Sequence, residues 1–409
     1  MHRGAVGKPP PHPPDWSRQL FSVGITGTNG KTSTTGMVAT ALARAAAPVA
    51  RVTTLGLFLD DERVDLPMSY GGYVALMRAC IDRGGKYASI EMTSEALALG
   101  FARAWPCHVA VFTNLTRDHI DSHGSAEHYL ASKAQLFMQL PEGGAAVLNG
   151  CDPASALLAD VLPQGVRTIR YGVPSRGSPT TALDLAATRV EPTWEGTRIE
   201  LAAARELGVP PSLAIRAIGD VFAENALAAL AAAVAAGVPG TAAAEAISGF
   251  APPKGRFEVV ARRPYVVVDY AHTPDALART LAAARRLCEG RLFVVFGAGG
   301  KRDKVKRPIM GAAACVADHV ILTSDNPRDE RAADIAAAIR EGLAPDVPVD
   351  VELDREVAIR RAVHQAAPVD VVVVAGRGHE TEQEIGGRRI PFSDQEVVAR
   401  ALAERHVVV

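Results

Sequence analysis

The sequence predicts an α/β fold in two successive units, each built on parallel sheet, and three observations support this. A chain of 409 residues is too long for one ordinary hydrophobic core, which favours two domains. Strand-like apolar runs alternate with stretches of helical apolar spacing, the pattern of a parallel sheet covered on both faces. Near the start, Gly27-Thr28-Asn29-Gly30-Lys31-Thr32 lies between an apolar run and a helical stretch, the order of a phosphate-binding loop. The expectation is a P-loop-containing domain with a mostly parallel sheet, followed by a Rossmann-like C-terminal domain.

Met1 to Asp15 is Pro-rich and has no apolar core of the kind a signal peptide needs, so 1–18 reads as a disordered tail. Phe21 to Ile25 is the strand before the loop and Ser33 to Arg44 the helix after it. The glycines let successive backbone N–H groups face one anionic oxygen, and the helix N-terminus adds its positive end. Lys31 can reach the β- and γ-phosphates and the Thr32 hydroxyl can hold Mg²⁺. The commoner form of the loop has an earlier glycine where this chain has Ile25. A plain glycine turn before a surface lysine is the other reading, and the flanking strand and helix favour the loop.

Arg51 to Leu59 reads as an extended run, Gly71 to Arg83 as a helix, Tyr87 to Met92 as a buried strand ending near Glu91, and His108 to Phe112 as another, running on toward His119. Ligands of parallel sheets sit at the carboxyl ends of strands, which places Glu91 and His119 at the loop's edge. They suit Mg²⁺ ligands, although imidazole is an unusual donor for that ion. Strand capping or polar loop contacts are the alternative, and these residues alone leave both open. Lys133 follows on a helix, Ala126 to Met138. Val147 to Asn149 and Val166 to Tyr171 are further strands, and Glu224 to Gly237 is an alanine-rich helix. The turn Pro252-Pro253-Lys254-Gly255 divides the chain into domains 19–253 and 254–409. Tyr265 to Tyr270 opens the second, with four more strand–helix units at Leu292 to Gly297, His319 to Asp325, Val349 to Leu353 and Val371 to Gly376. No G-x-G-x-x-G follows any of them, so no dinucleotide is assigned.

Composition narrows the function classes. Hydrophobic content of 48% with 22% charged residues is that of a globular chain, not a disordered one. A net charge of −1 offers no electrostatic case for nucleic acid or a membrane surface, so small-molecule partners are expected. The five cysteines are scattered without a C-x-x-C pair, as thiols in a reducing cytoplasm would be.

Gly27 to Thr32, Asn114-Leu115-Thr116-Arg117-Asp118-His119-Ile120-Asp121 and Lys133 resemble the Mur ligases, and the likeness continues to the C-terminus. It is strongest to the branch that adds the third amino acid of the peptidoglycan stem peptide. Asp269-Tyr270-Ala271-His272-Thr273-Pro274 is a further signature. The resemblance implies a central ATPase domain and an amino-acid-binding C-terminal domain. The implied reaction forms an amide through an acyl phosphate, with ATP and Mg²⁺. Lys31, His119 and Lys133 would be catalytic, and Thr32, Glu91, His119 and Lys133, the last as a carbamate, would hold metal. Asn225 would lie near the adenine, Arg256 near the phosphates and Asp269 near the ribose. Arg176 to Leu201, turning at Trp194-Glu195-Gly196, would be the family's antiparallel section. Arg302, Asp325, Asn326, Arg328, Gly376 and Glu380 resemble a diaminopimelate pocket. There Arg328 offers a planar fork to the distal carboxylate, Asp325 and Glu380 accept from the distal ammonium, and Arg302 holds the other carboxylate.

Three departures fall on the carboxylate-substrate side. Only about twenty residues precede the loop, where the family has a domain that grips a UDP group. The family's Thr-Thr-Pro is replaced by Leu66-Pro67-Met68, and its Glu-x-Ser-Ser-His by Glu91-Met92-Thr93-Ser94-Glu95. A second adenine-side Asn of the family is Phe222 here. The expectation is a monomeric, cytoplasmic ligase that has lost its substrate-gripping domain or borrows one from a partner protein. A ligase for another carboxylate outside peptidoglycan and a non-catalytic nucleotide-binding relative are the rivals.

Overall fold

The computed structural model describes residues 12–116, 125–301 and 303–407. The first sheet is built from β1 (Phe21–Thr26), β2 (Val49–Thr53), β3 (Gly56–Leu59), β4 (Glu62–Val64), β5 (Tyr87–Glu91), β6 (Val109–Phe112), β7 (Ala145–Asn149), β8 (Arg167–Gly172), β9 (Leu185–Thr193), β10 (Gly196–Ala203) and β11 (Ser212–Ile215). Their order is β11-β10-β9-β8-β7-β6-β1-β5-β2-β3-β4. β1 is central and pairs in parallel with β5 and β6. Antiparallel strands close both edges.

Side chains alternate between the two faces with the two-residue period of a strand. In β6, Val109 and Val111 join the cluster under α1 (Lys31–Leu42), while Ala110 and Phe112 join Tyr73 and Leu76 of α2 (Tyr70–Asp82) and Phe137 of α3 (Ala126–Met138). The alanines of α4 (Asp220–Ala235) are buried on the α1 side, where narrow side chains let two helices share one face.

The second sheet holds β12 (Glu258–Arg262), β13 (Tyr265–Asp269), β14 (Leu292–Phe296), β15 (His319–Leu322), β16 (Val349–Val351) and β17 (Val371–Ala375), in the order β12-β13-β17-β14-β15-β16. Every pairing is parallel except that of β12. α5 (Pro274–Leu287), α6 (Lys306–Ala314) and α7 (Ala332–Arg340) cover one face, and α8 (Arg355–Gln365) and α9 (Asp394–Val407) the other. The core cluster beneath α1 and α4 continues into this unit through Phe257 and Leu277. Across the junction, Trp194 stacks on Tyr265 at 3.8 Å between ring centroids, and Arg286 pairs with Asp220 at 2.9 Å.

Two expectations need correction. Arg51 to Leu59 is not one extended run but the hairpin β2–β3, because Thr54 and Leu55 turn the chain and Gly56 takes a φ of 143° that favours glycine. The tail is ordered from Asp15, where Asp15–Gln19 forms a 3₁₀ turn that sets Trp16 edge-on to Trp105, burying apolar surface that a disordered tail would expose. β12 and a hairpin of β18 (Glu382–Ile385) and β19 (Arg388–Pro391) were not anticipated.

Candidate active site

The glycine loop leaves the central strand and is shaped by the end of the neighbouring one. Gly27 has a φ of 151°, and a Cβ there would lie 1.9 Å from Thr113 Oγ1; Gly30, at 84°, leaves only 2.2 Å to Asn225 Oδ1. Only glycine fits either position. Asn114, following β6, clamps the loop by accepting from Asn29 N–H at 2.9 Å and donating to its carbonyl at 3.2 Å. Asn225 on α4 thus faces the loop from the α1 side of the sheet. The Lys31 ammonium lies over the loop and donates to the Thr28 carbonyl at 2.7 Å and the Gly27 carbonyl at 3.1 Å.

At the start of α1 and the end of β5, Thr32 Oγ1 donates to Glu91 Oε2 at 3.0 Å, and the same oxygen accepts from Thr54 N–H at 3.1 Å. A hydroxyl and a carboxylate converging beside a phosphate loop are hard oxygen donors of the kind Mg²⁺ takes, so Thr32 and Glu91 fit that ion. Lys133 is 1% exposed and donates from Nζ to the Gly27 carbonyl at 2.8 Å, with its charge 4.0 Å from the Tyr129 ring centroid. An ammonium offers a cation no oxygen, so Lys133 fits a metal role only once carbamylated. His119, like Arg302, lies outside the described residues. Among the described residues no cluster of three His, Cys, Asp or Glu could hold a metal.

The second sheet supplies the facing wall. Asp269, at the end of β13, accepts from Phe257 N–H, Ala271 N–H and the Thr280 hydroxyl. Burial raises its pKa against the pull of these bonds and of Arg256. It lines the cleft, yet its oxygens are largely committed to the fold. Arg256 stacks on Tyr270 at 4.4 Å, its Nε buried without a hydrogen bond. Beyond β15, Asp325 is 7% exposed and its Oδ2 has no partner. Asn326 donates to Glu380 at 2.9 Å and accepts from Arg377 at 2.9 Å. Burial, with Asp325 adding repulsion, pushes Glu380 above the ordinary carboxylate range. Gly376, at a φ of 113°, would press a Cβ to 2.4 Å from Asp325 Oδ2.

Arg328 departs most from the sequence expectation. Its Nε pairs with Glu384 at 3.2 Å and its Nη1 donates to the Gly300 carbonyl at 2.6 Å. The residue sits at a φ of 54°, pinned by its N–H to the Glu384 carbonyl. The planar fork is therefore half engaged inside the protein.

Both walls enclose one cleft of about 460 Å³, lined by Lys31, Glu91 and Lys133 on one side and by Arg256, Asp325 and Glu380 on the other. Asn29 of the loop donates to Asp275 of α5 at 3.1 Å, a direct bond between the two units. The motif reading missed several supports. Thr54 and Tyr129 hold the first wall, and fully buried Arg377 and the Arg355–Asp394 pair, at 2.8 Å, brace the second. Glu224 bridges Arg176 and Arg279, each at 3.1 Å. Arg377 lies inside the predicted pocket segment 376–380 without an assigned role; the others carry no motif, and each is defined by a partner distant in sequence. Glu95 also lines the cleft, beside Thr93 and Ser94.

Residues 25–233 match the Mur ligase middle domain and residues 255–378 the Mur ligase, glutamate ligase domain. The chain belongs to the Mur ligase family. Its enzyme class, an ATP-dependent amide-forming ligase, is the one the sequence led us to expect. Among similar Mur ligases, the UDP-N-acetylmuramoyl-L-alanyl-D-glutamate–2,6-diaminopimelate ligase of Bacillus licheniformis is 38% identical over 95% of this chain and 80% of its own length. The ligase of that name from Thermosynechococcus vestitus is 40% identical over 95% and 78%. A solved structure of a ligase with that name is 33% identical, covers 95% and 79%, and superposes with a TM-score of 0.64. A pseudomurein peptide ligase type C from Methanothermus fervidus, 18% identical over 94% and 79% with a TM-score of 0.69, shares the Mur ligase fold. Among the described residues no helix is long and apolar enough to cross a membrane.

Proposed function

We propose that this chain is an ATP- and Mg²⁺-dependent ligase that joins meso-diaminopimelate to the carboxylate of a peptide substrate, releasing ADP and phosphate. The carrying observation is the single cleft in which a phosphate loop faces a wall of Asp325, Asn326, Arg328 and Glu380. Lys31 neutralises the phosphate oxygens as the carboxylate attacks the γ-phosphorus in line and ADP leaves. Thr32 and Glu91, together with a carbamylated Lys133 and His119, would hold Mg²⁺, which would supply further charge neutralisation. Asn225 flanks the adenine, Arg256 approaches the phosphates, and Asp269 shapes the ribose side through the Phe257 and Ala271 backbone that it binds. The Asp325 and Glu380 carboxylates take the distal ammonium of the amine, and Arg328 and Arg302 its carboxylates.

The division into 19–253 and 254–409, a monomeric state, a cytoplasmic location and a partner protein that presents the carboxylate belong to the same proposal. Glu95 in the cleft favours a second reading on the acid side alone, a carboxylate substrate other than a UDP-linked peptide, because an added negative charge there repels an anionic neighbour. A carboxylate panel headed by UDP-N-acetylmuramoyl-L-alanyl-D-glutamate, scored by phosphate release with ATP and diaminopimelate, tests both. Release with that compound supports the first reading, and release only with another carboxylate the second. Release with no carboxylate in the panel, in the presence of ATP, Mg²⁺ and amine, sinks the proposal.

A further inference from the structure

Amide formation needs a group that takes the proton of the attacking amine, and one side chain of the cleft is prepared for that task. His272 lies just beyond β13, and its Nδ1 is 2.9 Å from the Tyr270 carbonyl oxygen. A carbonyl only accepts, so Nδ1 carries the hydrogen and Nε2 is left as the lone-pair nitrogen. The Lys306 ammonium donates to the carbonyl of His272 at 2.9 Å, and the imidazole rests against the Tyr270 ring with centroids 4.7 Å apart. Ring and backbone are thus both fixed, as a base on a rigid support should be.

Its place along the sheet edge is equally specific. The order β13-β17-β14-β15 sets His272 at one end of the row whose other members carry Glu380 and Asp325. On its other side, Asp275 meets Asn29 of the glycine loop. His272 therefore stands between the phosphate loop and the amine pocket, and it lines their common cleft. An acyl phosphate and an incoming amine must meet in that interval.

Building on the ligase reading, we propose that Nε2 of His272 is the catalytic base of the amide-forming step. The amine reaches the cleft as an ammonium, and Nε2 takes one N–H proton, which leaves the electron pair on nitrogen to bond to the acyl carbon. The bond from carbon to the phosphate oxygen then breaks, its electron pair leaves with phosphate, and the second N–H proton goes to that phosphate. The imidazolium returns the proton to water. Other titratable and charged groups around it are Asp303 before α6 and Lys306 at its start, Arg256 before β12, Asp269 and Asp275 beside it in the chain, Arg279 of α5, which pairs with Asp275, Glu380 beyond β17, and His379 against the same Tyr270 ring.

The test compares two acceptors on wild type and His272→Asn, with ATP and UDP-N-acetylmuramoyl-L-alanyl-D-glutamate as the carboxylate probe. Asn keeps a donor for the Tyr270 carbonyl and has no basic nitrogen. Hydroxylamine is already neutral near pH 7 and traps acyl phosphates as hydroxamates. The variant should lose roughly 10²- to 10⁴-fold in amide formation with diaminopimelate, together with the acid limb of its pH profile. Hydroxamate formation should fall far less, so the ratio of amide to hydroxamate collapses. An unchanged ratio, or an acid limb that survives in the variant, overturns the assignment. ATP-dependent thermal stabilisation checks that the variant is folded, and His272→Gln serves for the same comparison if it is not. A wild type that makes amide but no hydroxamate counts against the acyl phosphate itself, not against His272.

Discussion

On the loop wall of the cleft, the groups that meet phosphate are set by backbone: two glycines, a helix start and the amide clamp of Asn114 on Asn29. On the amine wall they are set by one another. Asn326 joins Glu380 to Arg377, and Arg328 divides its guanidinium between Glu384 and the Gly300 carbonyl. On the first wall the glycine conformations and the Asn114 clamp remain when Lys31 is removed, and only its two bonds to loop carbonyls are lost. In the second wall, removing one member leaves another buried group without its partner, so a change there is felt in stability as well as in binding.

The largest expected effect lies on the loop wall. Lys31→Ala should lower ATP turnover by at least two to three decades, the usual consequence of removing a preorganised charge from a developing anion. Its melting temperature should barely move, and a folded variant with normal turnover would break the nucleotide assignment. Lys133→Ala should follow with a loss on the order of 10²-fold, partly restored by short carboxylates. A carbamate forms from the neutral amine and CO₂, so stripping CO₂ at low pH should also lower wild-type activity. Full activity in Lys133→Ala would remove the carbamate from the account.

Effects on the amine wall should be smaller, because its groups share their bonds. With Nε and one Nη1 N–H of Arg328 engaged, its Nε-side fork is occupied, and a single charge-assisted bond from Nη2 to the distal carboxylate is worth about 1.5–3 kcal/mol. Lysine, which lacks that carboxylate, should therefore be disfavoured by roughly 10- to 100-fold in kcat/KM. Arg328→Ala should shrink that ratio by weakening diaminopimelate. An equal loss for both amines would make Arg328 a brace of the turn alone.

Glu380 gives the finest distinction. Burial raises its pKa, so the folded state holds its proton more tightly than the unfolded one. Its contribution to stability is fully present below the ordinary carboxylate pKa and is lost as pH rises through the raised value. Glu380→Gln should thus melt slightly higher than wild type at pH 7 to 8, with the difference fading below about pH 4.5. Its KM for diaminopimelate should rise by about tenfold, the value of one weakened polar contact. Calorimetry across pH and kinetics on the same protein separate the two effects.

The difference between the walls also explains what could be read from the sequence. Gly27 to Thr32 declares itself because a phosphate loop is a local geometry, and its strand, turn and helix are contiguous. The parallel strands were legible for the same reason: each is a short apolar run with its own boundaries. The β2–β3 hairpin was hidden because Thr54 and Leu55 turn the chain inside an apolar stretch. Asp325, Asn326 and the segment that carries Arg377 were found through motifs, whereas the bracing role of Arg377 and the Arg355–Asp394 pair were not. Their meaning lies in contacts between segments far apart, and no residue type marks a buried ion pair in advance. The engagement of Arg328 by Glu384 was invisible likewise, because β18 is a short hairpin strand with little apolar character.

The central claim is that carboxylate, phosphate and amine react in one cleft through an acyl phosphate. The most direct measurement labels the substrate carboxylate with ¹⁸O and follows the label during turnover with ATP, Mg²⁺ and diaminopimelate. The account predicts one labelled oxygen in the released inorganic phosphate for each amide formed. Label appearing in AMP, or phosphate released without label while amide accumulates, would contradict it.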